Sequence, residues 1–337
     1  MDICVCGAQV PFMRGGAEAL MDNLVEALTG AGHRAELVRL PTVWDRERIF
    51  DAALAWRMVP LDADLVICIN FPSYFIAHPN KVVWLAHQHR GAYDGADGEW
   101  SDFGLDDERL ELQRLLSEWD TRALSESRRL FTISGLVADR LARYNGLAAE
   151  PLYHPPPLFD RLHPGPFGDE VFCPLRLEGN KRPGLIVDAL AHVRSPVRIA
   201  LAGRGSLADE LAASAERQRV AHRLDLLGFV SDDDLVRRFA ESLAVVYAPY
   251  DEDYGYVTLQ AFRAGKPVIT AADSGGVLEW VEDGVNGFVT DGTPAGIADA
   301  IDRLAADRSL AEKMGEAGRE RVADLSWDPV VARLTAP

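Results

Sequence analysis

The stretch Ala244–Val289 carries the strongest fold signal in the chain and reads AVVYAPYDEDYGYVTLQAFRAGKPVITAADSGGVLEWVEDGVNGFV. Two short runs are apolar and partly β-branched, and turn residues bound them: Leu243–Ala248, which begins one residue before this stretch, and Val268–Ala271. Such runs are typical of buried parallel strands. A helix that begins near Gly255 lies between them. The stretch therefore predicts a strand–loop–helix–strand unit of an α/β sheet, with Asp251–Asp253 at the carboxyl end of the first strand.

Two glycine turns follow the two predicted strands of this stretch, at Gly255 and at Ser274–Gly276. In open α/β sheets, ligands bind beyond the carboxyl ends of the strands. The free N–H groups at a helix N-terminus bind phosphate well. The two turns therefore predict a cradle for the phosphates and sugar of a nucleotide.

The residues from Glu252 to Ile269 resemble the donor-site motif of retaining GT-B glycosyltransferases of family 4, the glycosyl transferases group 1. That motif has two glutamates separated by seven residues, followed by a small residue and Gly-Lys/Arg-Pro-Val. Glu252 matches the first glutamate, and Ala264–Val268 match the run. Gln260 replaces the second glutamate, which binds the ribose hydroxyls in the family. Glutamine keeps an acceptor oxygen without the charge, so we expect a working enzyme with altered or weaker nucleotide affinity.

Composition restricts the class of protein. The chain has 337 residues, enough for two domains, with 48% hydrophobic and 26% charged residues. The formal charge of −17 disfavours nucleic-acid and anionic-lipid partners. Apolar segments hold all four cysteines, which predicts core thiols in a reducing, cytoplasmic compartment. We expect no secretory signal and no transmembrane segment. The four cysteines are Cys4, Cys6, Cys68 and Cys173.

Two halves of alternating strands and helices predict an α/β protein with four regions. Residues 1–155 are expected to form an N-terminal Rossmann-like domain, and 156–169 a semi-rigid linker, because prolines exclude a regular element there. Residues 170–325 are expected to form a C-terminal domain. The resemblance places the acceptor side on the first domain and the nucleotide-sugar donor on the second. The resemblance implies the GT-B fold, in which two Rossmann-like domains face each other across a cleft. It also implies that residues 326–337 form a helix that packs back on the first domain.

In the first half, the candidate residues lie after predicted strands. Gly15 and Gly16 open a helix, either for phosphate or only because the helix start needs glycine's conformational freedom. The resemblance places this turn over the donor phosphates and the acceptor, and it aligns His87 with a histidine that faces the donor sugar. A structural or exposed role is the alternative for His87. The candidate acceptor-binding residues are Arg14, His89, Arg90 and Tyr93.

In the second half, Arg176 and Lys181 follow a predicted strand and match the family's Arg-Leu-x-x-x-Lys, whose cations neutralise the donor diphosphate. A salt-bridged loop is the alternative. Glu252 is expected to hold hydroxyls of the donor sugar. The resemblance assigns the nucleobase to the two turns at Gly203–Gly205 and Phe229–Val230. The donor-binding candidates that remain are Tyr254, Gly255, Tyr256, Val257 and Gln260.

The resulting hypothesis is a retaining glycosyltransferase that moves a sugar from a nucleotide-diphosphate donor, UDP by family frequency, to a small-molecule or glycan acceptor. No cofactor and no metal are expected, because Arg176 and Lys181 supply the positive charge that a metal at Asp251 and Asp253 would bring. A catalytically silent nucleotide-sugar-binding subunit and a GT-B nucleotide-sugar epimerase remain alternatives. The sugar, the base, the acceptor and the oligomeric state stay open.

Overall fold

A computed structural model of the chain describes residues 1–12, 15–42, 46–95 and 106–337. The chain divides into two units, which are described separately below. The first unit comprises Met1–His154 together with Ser326–Pro337, and the second comprises Pro155–Leu325.

The helices and strands alternate through both units. In chain order they are β1 (Asp2–Gln9), α1 (Gly16–Gly30), β2 (Arg34–Pro41), α2 (Ile49–Arg57), β3 (Leu65–Asn70), β4 (Lys81–His87), α3 (Asp107–Ser125), β5 (Arg129–Thr132), α4 (Gly135–Asn145), β6 (Glu150–Pro151), β7 (Glu170–Pro174), α5 (Pro183–Leu190), β8 (Arg198–Ala202), α6 (Ala208–Arg217), β9 (Leu224–Gly228), α7 (Asp232–Glu241), β10 (Ala244–Val246), α8 (Tyr256–Arg263), β11 (Val268–Ala271), β12 (Gly287–Thr290), α9 (Pro294–Ala306), α10 (Arg308–Arg321) and α11 (Trp327–Thr335).

Each unit is built on a parallel sheet that has six strands among the described residues. The first sheet has the order β2-β1-β3-β4-β5-β6, and the second has the order β12-β11-β10-β7-β8-β9. Strand β3 is buried along its whole length, as expected for a parallel strand with layers on both faces. The prediction of an α/β protein with two Rossmann-like halves is therefore confirmed.

Local differences from the predicted elements have simple causes. The sequence also predicts a helix from Lys181, but this helix, α5, begins only at Pro183, after a 3-10 turn over Gly179–Lys181. Proline favours the first helical position, because its missing N–H has no partner there in any case. Strand β10 ends at Val246, two residues before the predicted end at Ala248.

Helix α11 packs within the first unit. The ring of Trp327 meets Trp84 edge-on at 6.1 Å and lies 5.6 Å from the buried imidazole of His154. The guanidinium of Arg129 donates to the carbonyls of residues 333 and 334 at 2.8 and 3.0 Å. A cation at the last carbonyls of a helix satisfies groups that lack a partner inside the helix.

Residues 155–168, which we call the proline-rich segment, lie in the second unit. Lys266 is fully buried beside this segment, and burial lowers the pKa of its ammonium to about 8. Its Nζ donates to the carbonyls of Gly165 and Pro166 at 2.9 Å each and lies 3.6 Å from the centre of the Phe167 ring. The lysine of the Gly-Lys-Pro motif therefore fastens the proline-rich segment to the unit.

All four cysteines are free thiols, and burial raises the pKa of each. In the described part of the chain, every helix is too short or too polar to cross a membrane.

A buried carboxyl group lies between α3 and the segment after β4. Asp120 is fully buried and accepts a hydrogen bond from the hydroxyl of Tyr93. Burial raises the pKa of Asp120 to about 7 despite the hydrogen bond from Tyr93. Folding therefore favours the protonated acid over the carboxylate.

We predict that Asp120 makes the protein less stable as pH rises. Its raised pKa gives a stabilisation that is full below pH 3.8 and is lost as pH approaches about 7, amounting to roughly 4 kcal/mol at most. Asp120→Asn should flatten this part of the pH dependence of the unfolding free energy, measured by urea titration. Asp139→Asn, at an exposed aspartate of α4, is the control. Equal pH slopes for wild type and Asp120→Asn would contradict the assignment.

Candidate active site

The carboxyl edge of the second sheet brings the predicted donor-site loops side by side. Strands β10, β7, β8 and β9 are consecutive neighbours and run parallel. The loops that follow them hold Glu252, Arg176, Gly203 and Phe229, in that order. Because the strands are parallel, their carboxyl ends share one edge. Four segments that are far apart in sequence thus lie side by side at one edge of the sheet.

Lys181 and Glu252 are in direct contact through Nζ and Oε2. Their side chains are only 13% and 20% exposed, so the pair is largely shielded from water. The hydroxyl of buried Tyr247, just after β10, also bonds the Glu252 carboxylate, and burial with that negative charge raises the pKa of the tyrosine. The two charged residues that the sequence assigned to the diphosphate and the sugar therefore form one hydrogen-bonded group.

Arg176 is an exposed cation of the same edge. It lies two residues after the end of β7, and its charge acts on Tyr247 and on Glu178. Its guanidinium therefore adds positive potential next to the Lys181–Glu252 pair.

The Glu252 loop is held in place by the glycine turn after β11. The N–H of Glu252 donates to the carbonyl of Ser274 at 3.3 Å, and the N–H of Gly276 donates to the carbonyl of Glu252 at 2.7 Å. Gly275 has φ of +63°, and a Cβ at this residue would lie 2.6 Å from the Glu252 carbonyl oxygen. The expectation that Ser274–Gly276 offers its amides to phosphate is wrong for Gly276, whose N–H is taken by Glu252. These glycines allow two backbones to touch.

Arg182 supports the same loop and was missed by the sequence analysis. Its guanidinium donates to the carbonyls of Ala248 and Pro249 and to both carboxylate oxygens of Asp273, at 2.7–2.9 Å. Arg182 itself has φ of +49°, as Asp251 has φ of +47°. Non-glycine residues in this region are strained and cluster at functional sites. The sequence shows an arginine next to Lys181, but it does not indicate the groups with which this arginine forms hydrogen bonds.

Gly255 precedes α8 as its N-cap with φ of +85°. A Cβ there would lie 2.7 Å from Cγ2 of Val277. Glycine is therefore required both by the positive φ and by the close approach of the Val277 side chain. The first amides of a helix have no partner within the helix, which makes those of Tyr256 and Val257 candidates for binding phosphate. Tyr254 is buried and packs edge-on against Tyr256 and Trp280 at 5.5 and 6.1 Å.

The glycines after β8 let two loops meet. A Cβ on Gly203 would lie 1.9 Å from the carbonyl oxygen of Leu175, and one on Gly205 would lie 2.2 Å from that of Leu177. The N–H of Leu177 donates to the carbonyl of Arg204 at 3.0 Å. These contacts fix the loop that carries Arg176 and Lys181.

An exposed aromatic ring stands at the end of β9. Phe229 is 73% exposed, and the guanidinium carbon of Arg204 lies 5.5 Å from its ring centre. Val230 next to it is partly buried. A flat apolar face beside a planar cation suits the stacking of a nucleobase, and Arg204 is a residue that the sequence analysis did not single out.

Gln260 lies on α8 and is partly exposed. Its Nε2 donates to the carbonyl of Pro157 at 3.0 Å. The carboxamide oxygen, Oε1, is the acceptor that remains for the predicted contact with ribose.

In the first unit, the glycine turn and His87 lie at the carboxyl ends of β1 and β4. The N–H of Gly15 donates to the carboxylate of Glu18 at 2.8 Å, and Gly16 begins α1. His87 ends β4, with Nδ1 2.8 Å from the carbonyl oxygen of Gln88.

The candidate acceptor-binding residues make contacts inside the first unit. His89 is buried, which lowers its pKa to about 4 and keeps the ring neutral at pH 7. Arg90 pairs with Asp94 at 2.9 Å, and Tyr93 donates to Asp120. Arg14 lies outside the described residues. Roles in binding an acceptor stay predictions for all four.

Asp251 and Asp253 do not form part of a larger cluster: among the described residues, no three His, Cys, Asp or Glu side chains converge as metal ligands.

Comparison with known proteins finds a family match in the second unit. Residues 169–321 match the family described as glycosyl transferases group 1. This match includes Glu252–Ile269, and the resemblance that those residues carry is confirmed.

Two curated relatives illustrate the similarity. The chain is 34% identical over 230 residues to the GDP-mannose-dependent alpha-(1-6)-phosphatidylinositol monomannoside mannosyltransferase of Mycobacterium tuberculosis, a match that covers 60% of this chain and 59% of the relative. It is 28% identical over 251 residues to the D-inositol 3-phosphate glycosyltransferase of Streptomyces griseus, covering 62% and 53%. The matches thus span little more than half the length of these relatives.

Solved structures share the fold over nearly the whole chain. Sucrose-phosphate synthase from Thermosynechococcus elongatus has a TM-score of 0.78 at 17% identity, with 99% of this chain and 97% of that chain covered. Anabaena HepE in complex with UDP-glucose has a TM-score of 0.76 at 17% identity, with 99% and 98% covered. These likenesses show the GT-B fold.

We predict that Gly275→Ala destabilises the protein and weakens nucleotide binding. The added methyl group meets the Glu252 backbone at 2.6 Å, and the residue must keep φ of +63°. A loss of about 2–4 kcal/mol of unfolding free energy is expected, measured by urea titration, with nucleotide affinity measured by calorimetry. Gly184→Ala, where an added Cβ meets open space, should leave both unchanged. Normal nucleotide affinity in Gly275→Ala would contradict the role of this turn.

Proposed function

We propose that this chain is a retaining hexosyltransferase that transfers a sugar from a nucleotide-diphosphate donor to a hydroxyl group of an acceptor. The observation that carries the proposal is the shielded contact between Lys181 and Glu252, with exposed Arg176 on the same sheet edge. The match of residues 169–321 to the glycosyl transferases group 1 supports it.

The chemistry requires stabilisation of the leaving diphosphate. As the bond between the anomeric carbon and the phosphate oxygen breaks, negative charge grows on the diphosphate and positive charge grows on the sugar ring. Fixed cations and helix-terminal N–H groups stabilise the developing anion most when they are already in place. Arg176 and Lys181 would supply the cations, and the amides at Tyr256 and Val257 would supply the N–H groups.

Glu252 has two roles in this proposal. Its carboxylate holds the Lys181 ammonium, and it is itself fixed by Tyr247. Its remaining acceptor capacity suits the hydroxyls of the donor sugar, since a carboxylate has about four lone-pair sites. His87 stays the sugar-facing residue that the family resemblance implies.

Retention of anomeric configuration needs no nucleophile from the protein if the acceptor attacks the face from which the diphosphate leaves. The diphosphate oxygen can then take the acceptor's proton as the new bond forms. The residues proposed above hold the charge and the geometry for that step, and the resemblance to family 4 supports retention.

The relatives suggest which donors and acceptors to test first. The sequence favours UDP by family frequency, whereas the mycobacterial relative is named for GDP-mannose at 34% identity. We therefore propose GDP-mannose as the first donor and UDP-sugars as the second.

Both relatives are named for inositol-containing acceptors, so we propose a small hydroxylated acceptor of the inositol class. The four free thiols fit a reducing compartment such as the cytoplasm.

Binding and turnover distinguish the enzyme from a silent sugar-nucleotide-binding subunit. A thermal-shift panel of nucleotide sugars identifies the donor, because a ligand at a hundred times its dissociation constant adds about 2.7 kcal/mol of stability. Slow hydrolysis of that donor by the purified protein is expected of the enzyme. Binding without hydrolysis or transfer would favour the silent subunit.

We predict that Lys181→Ala and Arg176→Ala each lower turnover by roughly a hundredfold to a thousandfold, because each removes one charge from the leaving diphosphate. Initial rates of donor hydrolysis or transfer, with melting temperatures measured in parallel, provide the test. Lys313→Ala, at an exposed lysine of α10, is the matched control. Full turnover in Lys181→Ala would exclude Lys181 from the reaction.

We predict that activity does not depend on a divalent metal, because Arg176 and Lys181 supply the positive charge at the diphosphate. Turnover in excess EDTA should equal that in added magnesium or manganese. Activity that disappears with EDTA and returns with a divalent metal would contradict this expectation.

A further inference from the structure

The proline-rich segment is attached to α8 by a row of side-chain donors. Nε2 of Gln260 donates to the carbonyl of Pro157 at 3.0 Å. Nε of Arg263 donates to the carbonyl of Phe159 at 3.2 Å, and its guanidinium carbon lies 4.8 Å from the Phe159 ring centre. Lys266, which follows α8 in sequence, donates to the same segment at Gly165 and Pro166. Residues three apart share one face of a helix, so Gln260 and Arg263 form a single attachment surface.

The two attachment points lie on either side of a strained residue. Leu158 has φ of +65°, a region that residues with a Cβ rarely adopt and that persists only where the surroundings hold it. The carbonyl before Leu158 is held by Gln260, and the carbonyl after it is held by Arg263. Helix α8 therefore fixes this turn from both sides.

The bond to Pro157 explains why a glutamine can be needed at residue 260. A carbonyl oxygen requires a donor, and the carboxamide of glutamine has two N–H groups. An ionised glutamate has only acceptor oxygens and would place negative charge against the Pro157 carbonyl. Replacing Gln260 by the glutamate that the family motif has would therefore break the hydrogen bond to Pro157.

We propose that Gln260 is a positioning residue with two tasks. Its Nε2 holds the strained turn at Leu158, and this bond fixes the carboxamide so that Oε1 is presented as the acceptor for the nucleotide ribose. The second task rests on the proposed function, whereas the first does not. Glutamine at this residue is then a requirement of this chain, and not a weakened form of the family's glutamate.

The first experiment measures stability without any ligand. Gln260→Glu and Gln260→Met are compared with wild type by melting temperature at pH 8 and pH 5. At pH 8, both variants lack the donor, and the glutamate adds repulsion, so Gln260→Glu should melt lowest. At pH 5, a larger fraction of the glutamic acid is protonated than at pH 8, and this form can donate to Pro157. The deficit of Gln260→Glu should therefore shrink while that of Gln260→Met stays constant.

Other charged groups near this surface do not affect the comparison. The titratable and charged groups near this surface are His163, Lys266, Arg263, Arg161 and Asp160. All five are present in wild type and in both variants, so the differences between proteins report residue 260. A Gln260→Glu protein that melts like wild type at pH 8 would overturn the proposal.

The second experiment measures the dissociation constants of GDP and UDP by calorimetry. At pH 8, Gln260→Glu and Gln260→Met should bind the nucleotide about tenfold more weakly than wild type. Arg263→Met loosens the same turn but keeps the ribose acceptor, so its loss should be smaller. At pH 5, Gln260→Glu should recover relative to Gln260→Met.

The outcomes separate this proposal from the proposed function. If the wild type binds no nucleotide, the proposed function fails, and the melting comparison still decides whether Gln260 holds the turn. If Gln260→Glu binds nucleotide as tightly as wild type at pH 8, the positioning role is wrong even though the proposed function stands. Equal losses in Arg263→Met and Gln260→Met would also contradict the second task.

Discussion

The contact between Lys181 and Glu252 is the interaction around which the second unit's site is arranged. Two opposite charges with little exposure to water are favourable only when other bonds complete their surroundings. Here Tyr247 bonds the carboxylate, and the backbone of Glu252 is tied to the turn after β11. The position of the lysine in turn depends on the loop after β7. The glycines after β8 allow the backbone of that loop to pack closely against their own. The pair is therefore the product of four loops that meet at one edge.

Glycine has a different purpose in this site from the one that the sequence suggests. A glycine turn at a strand end predicts free amides for an anion, and Gly255 remains consistent with that role. At Gly203, Gly205 and Gly275, the requirement is instead the close approach of a second backbone. A sequence shows that a residue must be small or have positive φ, but it does not show which neighbour makes it so. That neighbour belongs to another loop.

Much of the fold and part of the site could be predicted from the sequence. The apolar runs and their spacing predicted the parallel sheets, and strand adjacency brought Lys181 and Glu252 together as the motif indicated. The partner of Tyr93 could not be foreseen, because Asp120 lies on a later helix and its burial depends on tertiary packing. The attachment of the proline-rich segment was equally hidden, since its donors follow about a hundred residues later. Prolines excluded a regular element there without showing what would hold the chain.

The placement of α11 has a consequence for the order in which the chain is completed. This helix packs on Trp84 and His154, yet it is translated after the whole of the second unit. On the ribosome, the second unit emerges in full while the apolar surface around Trp84 is still uncovered. An incomplete first unit during synthesis exposes hydrophobic surface of the kind that chaperones bind. Helix α11 thus makes the maturation of the first unit wait until the second unit has been translated.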